Sequence, residues 1–275
     1  MATAATPDYS VLDQPWILAR LFHPRPEPAG RRPPPGATDL AIPVDHDAQV
    51  GACFYMTDPV APNLLFFHGN GEIVADYDEL GPLYNRLGIN FLAVDYRGYG
   101  ASTGAPGVAA MMSDCHRVLT FVTGWLKDGR YLGPLVVMGR SLGSASALEL
   151  AARRADELDG LIIESGFAYA GPLLEVLGID PRQIGFREEE GFSNLEKIAA
   201  WEKPLLVIHA EHDHIIPFTD GRALHDACPS ARRELLKIPG ANHNDILQRG
   251  LAEYLAAVGR LAAAAMGGKR AAPSR

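Results

Sequence analysis

Ser141, Asp213 and His243 are the residues best suited to covalent chemistry, because each lies just past the end of a short apolar run. Ser141 sits in Gly139-Arg140-Ser141-Leu142-Gly143, after the run Leu135–Met138 and before the helical stretch Ala145–Ala152. A serine in a tight strand-to-helix turn is held in a strained backbone conformation with its hydroxyl exposed. Small neighbours let strand and helix approach closely. The helix start behind it offers N–H groups that favour negative charge. Asp213 lies in Glu211-His212-Asp213-His214, after Leu205–Ile208, and His243 in Gly240-Ala241-Asn242-His243-Asn244-Asp245, after Leu235–Ile238. Such a set supports nucleophilic attack by Ser141, proton transfer by His243 and orientation of the imidazole by Asp213.

A fourth stretch, Phe67-His68-Gly69-Asn70-Gly71, follows the run Leu64–Phe67. Attack on an acyl carbonyl leaves negative charge on its oxygen, and backbone N–H donors aimed there lower the barrier. The expected donors are the N–H groups of Asn70 and Leu142. His68 precedes the turn and is read as structural. Glu164, after the run Leu161–Ile163, is the rival for the acid. His209, His212, His214 and His225 are the rivals for the base. The run His209–His214 has metal-ligand chemistry. Its first histidine is one position out of place for a binuclear site, however, and no second cluster accompanies it. No metal or cofactor is expected.

These residues need a scaffold that ends its strands in one place. The apolar runs Leu64–Phe67, Phe91–Val94, Leu135–Met138, Leu161–Ile163, Leu205–Ile208 and Leu235–Ile238 fit strands buried on both faces. Asp39–Val44 and Val50–Met56 fit an opening hairpin. Helical spacing links Tyr77, Leu80, Tyr84 and Leu87. It also links Met111, Cys115, Val118, Val122 and Leu126, and later Leu247, Leu251, Leu255 and Val258. The alternation predicts an α/β fold, a mostly parallel central sheet with helices on both faces, whose ligands bind at the strands' carboxyl ends.

Residues 39–265 form the expected domain, with a small cap inserted at about 165–203. Within the cap, Phe167, Tyr169, Leu173, Leu174, Leu177 and Trp201 are candidates either for an acyl pocket or for packing the cap down. Glu188, Glu189 and Glu190 read as a solvated acidic face that would disfavour anionic substrates. Residues 1–38, with Pro24, Pro26, Pro28 and Pro33–Pro35, read as a Pro-rich N-terminal tail. Its apolar stretch Trp16–Phe22 would dock on the body or meet a partner. Residues 266–275 read as a frayed basic tail.

The chain order Ser, Asp, His on strand-end loops, the H-G-N stretch and Asp95-Tyr96-Arg97-Gly98-Tyr99-Gly100-Ala101-Ser102 together resemble the α/β-hydrolase superfamily over residues 39–265. Within it, the chain looks like the small serine hydrolases with an H-G-N oxyanion loop. The resemblance implies the fold, the Ser-His-Asp triad and an ester or other acyl substrate. It also implies that Arg97 and Ser102 are structural. It leaves ester, thioester and amide open, as well as a binding protein that kept the fold.

Bulk properties narrow the partners. The chain has 275 residues, 47% of them hydrophobic, enough for one large core. Its formal charge of −8 argues against coating nucleic-acid phosphates, which leaves a small-molecule acyl substrate. No apolar run reaches the roughly 18 residues that span a bilayer, and Met1–Ser10 does not read as a signal peptide. Cys53, Cys115 and Cys228 form no disulfide framework, so a cytoplasmic location is expected.

Overall fold

The computed structural model describes residues 8–270. Eight strands form one sheet: β1 Ala37–Pro43, β2 Gln49–Tyr55, β3 Asn63–Phe67, β4 Asn90–Val94, β5 Leu135–Arg140, β6 Gly160–Glu164, β7 Leu205–Ala210 and β8 Arg233–Ile238. Their spatial order is β1-β2-β4-β3-β5-β6-β7-β8. The pairs β1–β2 and β2–β4 are antiparallel and the rest are parallel. The sheet is open and mostly parallel, as the alternating pattern predicts.

The helices are α1 Pro15–Leu21, α2 Gly81–Arg86, α3 Val108–Asp128, α4 Gly143–Arg153, α5 Ala170–Val176, α6 Asn194–Ile198, α7 Phe218–Ala227 and α8 Ile246–Arg270. Successive strand residues point to opposite faces and so feed two cores. Leu65, Phe67, Val137, Leu161 and Ile163 join a core with side chains of α1, α3, α4, α6 and α7. Leu64, Phe66, Val136, Met138 and Ile162 join a second core with α2 and α8. The central strands are covered on both faces, which is why they read as continuous apolar runs. Strand β8, at the sheet's edge, is only partly buried over Arg233–Lys237, so its run does not mark a strand buried on both faces.

Two helical readings change in detail. The Tyr77–Leu87 pattern is a short turn, Val74–Tyr77, followed by α2, and Leu87 is exposed. Gly81-Pro82 divides them, and a Cβ on Gly81 would run into the Tyr55 ring. In α8, Gly250 has non-helical dihedrals and Leu251 is exposed, while Tyr254, Ala257, Val258 and Leu261 carry the buried face. The basic tail expected at 266–275 begins as helix, since α8 continues to Arg270. Residues 271–275 lie outside the described residues.

The Pro-rich stretch is docked rather than free. Pro15 opens α1 at a position where its fixed φ fits and its missing N–H costs nothing. Ile17, Leu21 and Phe22 are buried in the first core, while Trp16 stays 45% exposed with the Arg20 guanidinium over its ring. Asp13 accepts hydrogen bonds from the Val108 and Ala109 N–H groups at 2.6 and 3.1 Å, capping the start of α3. Downstream the chain runs against the Arg97–Gly104 loop, where Arg25 O accepts the Gly100 N–H at 2.9 Å. Residues 1–7 lie outside the described residues. Among the described residues no helix is long and apolar enough to cross a membrane.

Candidate active site

The strand order creates the crevice. From β3 the chain turns to α2 and the second core, and from the adjacent β5 it turns to α4 and the first core. Loops leaving neighbouring strands in opposite directions open a ligand crevice at their carboxyl ends. The two loops there carry the H-G-N stretch and Ser141.

Ser141 adopts φ +50°, the left-handed region that side chains avoid. Its backbone is held there by its N–H, which donates to Glu164 O at 2.8 Å, and by its carbonyl, which accepts the Ser144 N–H and Oγ–H at 3.0 and 2.6 Å. Two glycines make the turn possible. A Cβ on Gly139 would strike the Gly143 carbonyl, and one on Gly143 would strike the Phe67 carbonyl. The small residues therefore serve close approach of β5, α4 and β3.

His243 Nε2 lies 3.0 Å from Ser141 Oγ, and His243 Nδ1 lies 2.7 Å from Asp213 Oδ2. With Nδ1 protonated, the serine hydroxyl donates to Nε2 and the imidazole donates to the carboxylate. Asp213 Oδ1 also accepts the Ile215 and Ile216 N–H groups at 3.0 and 2.9 Å. Burial works to raise the Asp213 carboxyl. The hydrogen bond and charge of His243 and the two backbone donors outweigh it and hold the group below its ordinary value, so it stays ionised. Ser141 and His243 are 8% and 4% exposed, so their hydrogen bonds lie where water competes little.

The rivals sit elsewhere. Glu164 bonds to Arg140 Nε at 3.0 Å and to the Tyr254 hydroxyl at 2.7 Å, with no bond to His243. Burial pushes its carboxyl up. His209 is buried, its Nε2 directed at Ile216 O at 2.8 Å, and burial lowers it, leaving the ring neutral. His212 and His214 are exposed, and although His209 Nε2 lies 3.5 Å from Asp213 Oδ2, the run His209–His214 gathers no three ligand atoms around one point among the described residues. His225 pairs with its neighbour Asp226. His68 is fully buried, with Asp95 Oδ1 at 3.1 Å, inside the turn it was expected to shape. Arg97 grips Asp114 through two 2.7 Å bonds and Ser102 Oγ accepts the Gly51 N–H, both away from the triad.

Among the described residues, no hydrogen bond engages the N–H of Asn70 or of Leu142. The Asn70 side chain, by contrast, is fully used. Its Oδ1 accepts from the His23 N–H at 2.9 Å and the Tyr99 hydroxyl at 2.7 Å, and its Nδ2 donates to Leu21 O at 2.8 Å. The N-terminal segment therefore clamps this loop, and Arg25 Nε adds a 2.7 Å bond to Gly71 O. Sequence reasoning missed that clamp, and with it Arg140 and Glu72. A charged residue ending a wholly apolar strand was the available signal, since a buried charge must find a partner.

In the cap, Phe167, Tyr169 and Leu173 line a groove of about 520 Å³ together with Val176, Ile215 and Asp213. Leu174 and Trp201 are buried and pack the cap onto the body. The acidic run is not wholly a solvated face: the Glu188 carboxylate accepts the Ala170 and Gly171 N–H groups at 3.0 and 2.5 Å and caps α5.

Comparison with known proteins agrees with this architecture. Residues 58–179 match the family model described as serine aminopeptidase, S33. The mouse alpha/beta hydrolase domain-containing protein 17C is 31% identical over 212 residues, 73% of this chain and 60% of that protein. Protein bem46 of Schizosaccharomyces pombe is 30% identical over 187 residues, 67% of this chain and 62% of that protein. The chain thus spans about three-fifths of the length of these curated relatives. Among solved structures, an esterase of Pyrococcus furiosus superposes with TM-score 0.69 at 18% identity, covering 87% of this chain and 98% of that one. A soluble variant of monoglyceride lipase from Saccharomyces cerevisiae gives TM-score 0.66 at 19% identity, with the same coverage of 87% and 98%. With the strand order, the left-handed serine turn and these matches in hand, the chain belongs to the α/β-hydrolase superfamily.

Proposed function

We propose that this hydrolase cleaves acyl esters, carboxylesterase-like, through an acyl-enzyme on Ser141. The observation that carries the reading is the unbroken hydrogen-bond line from Ser141 Oγ through His243 to Asp213, at 3.0 and 2.7 Å. Ser141 Oγ attacks the acyl carbonyl as His243 Nε2 takes its proton. Asp213 holds the ring and stabilises the imidazolium. The free N–H groups of Asn70 and Leu142 receive the oxyanion, where one donor can contribute about 3–4 kcal/mol. His243 returns the proton to the leaving alcohol, and water then releases the acid by the same steps. The chemistry uses this chain's side chains and needs no cofactor.

The groove beside Asp213 suits a neutral acyl group of short or medium length. Its walls are Phe167, Tyr169, Leu173, Val176 and Ile215, and the chain's formal charge of −8 disfavours anionic esters. The mouse relative carries an alpha/beta hydrolase name, and the structural neighbours include an esterase and a monoglyceride lipase. Three buried, unpaired cysteines suit a reducing compartment, and we place the protein in the cytoplasm.

A panel of p-nitrophenyl esters from acetate to palmitate, with a matched thioester, an anilide and a carboxylate-bearing ester, tests the substrate class. Highest kcat/KM is expected for neutral esters of short or medium chain. A preference for the thioester or anilide would move the reading to a thioesterase or amidase at the same site. A preference for palmitate or for the anionic ester would contradict the assigned groove.

A further inference from the structure

The residue before the nucleophile occupies a position that none of the triad chemistry uses. Arg140 ends β5, its side chain only 13% exposed, and its guanidinium spreads to three separate segments. Nε donates to Glu164 Oε1 at 3.0 Å at the end of β6. Nη1 pairs with Glu72, which follows the H-G-N turn. Nη2 donates to the carbonyl of His243 itself at 2.9 Å. Glu72 passes the contact on: its Oε2 accepts the Gly69 N–H at 2.7 Å and the Tyr77 hydroxyl at 2.6 Å. A Cβ on Gly69 would lie 2.6 Å from Arg140 Nη1, so this glycine gives the guanidinium room beneath the turn.

We propose that Arg140 is a positioning residue that, with Glu72, fixes the base loop and the oxyanion loop against the serine turn. The proposal rests on the acyl-transfer reading of Ser141. One rigid, planar fork bonds the loop carrying His243 and, through Glu72, the loop carrying Asn70, while its own backbone leads directly into Ser141. Burying a cation between two carboxylates is costly and is a weak way merely to hold strands together. The return is geometric, because a shift of about 1 Å in a catalytic group can cost about 100-fold in rate. Lysine keeps the charge but not the fork, so it cannot reach three partners in one plane.

Arg140 also lines a cleft of about 490 Å³ between α2 and the start of α8, shared with Glu72, Glu164, Leu83 and Leu247. A small cation therefore has a route to the place that a truncated side chain leaves.

The test is steady-state hydrolysis of p-nitrophenyl butyrate by wild type, Arg140→Lys, Arg140→Ala, Glu72→Gln and Ser141→Ala, with thermal unfolding of each. Arg140→Lys and Glu72→Gln should lose about 10- to 100-fold in kcat while KM stays within about threefold. Guanidinium chloride at about 50 mM should restore part of the Arg140→Ala rate, where equal sodium chloride does not. Wild-type kcat in Glu72→Gln or Arg140→Lys overturns the role, as does a loss confined to KM. Should Arg140→Ala or Arg140→Lys fail to fold, Glu72→Gln decides alone, because it leaves Arg140 with Glu164 and His243. Ser141→Ala separates the two levels. If it hydrolyses like the wild type, the acyl-transfer reading fails and takes this proposal with it. If only Ser141→Ala is dead, the role of Arg140 fails by itself.

Discussion

At the scale of single residues, two buried carboxylates lie near the serine, and their environments give them different work. Asp213 receives His243 Nδ1 and two backbone N–H groups and is held ionised. Glu164 is turned toward Arg140 and Tyr254. Asp213→Asn should therefore lower kcat by roughly 10³- to 10⁴-fold, since the amide favours the wrong imidazole tautomer. Glu164→Gln should stay within about tenfold, because the Glu164 side chain, unlike that of Glu72, bonds to neither the His243 loop nor the H-G-N turn. Kinetics on p-nitrophenyl butyrate check both, and a dead enzyme only with Glu164→Gln would reverse the assignment. The meeting of Ser141, His243 and Asp213 was legible because each follows an apolar run that marks a strand end. Arg140 was not, because it fills the free position of the pentad and its carboxylate partners are 24 and 68 residues away. The charge ending an apolar strand signals that a partner is needed, but no local pattern says which one.

At the scale of elements, periodicity located the six inner strands and the long helices, because burial on one or both faces writes directly into residue type. It failed where tertiary contacts decide. Gly81-Pro82 splits one helical pattern in two, and the edge strand β8 is only partly covered. The largest gap is the N-terminal stretch. Its prolines read as a tail with one apolar stretch that could dock; α1 does dock, burying Ile17, but the chain beyond it also clamps Asn70, which no local pattern foretold. Ile17→Ala should cost about 2–5 kcal/mol, the usual range for truncating a core isoleucine. Trp16→Ala, on the exposed face, should cost less than half as much. Urea unfolding measures both. Equal, negligible effects would mean that the segment is a free tail after all.

At the scale of the whole molecule, one sheet gathers residues that the sequence scatters. Ser141 and His243 are 102 positions apart, and Asp213 and His243 are 30 apart. The crevice between β3 and β5 brings the H-G-N turn beside the serine turn, and parallel β7 and β8 deliver the acid and the base to the same end of the sheet. The two cores hold that end rigid from both faces, so pre-organisation of the site is a property of the entire sheet. The central claim is that this assembly makes Ser141 a nucleophile. It is tested most directly by treating the folded protein with a fluorophosphonate probe and reading intact mass and the labelled peptide, with Ser141→Ala alongside. One stoichiometric adduct on the Ser141 peptide, absent from the variant, is the predicted result. Equal labelling of Ser141→Ala, or no labelling of the folded wild type, would contradict it.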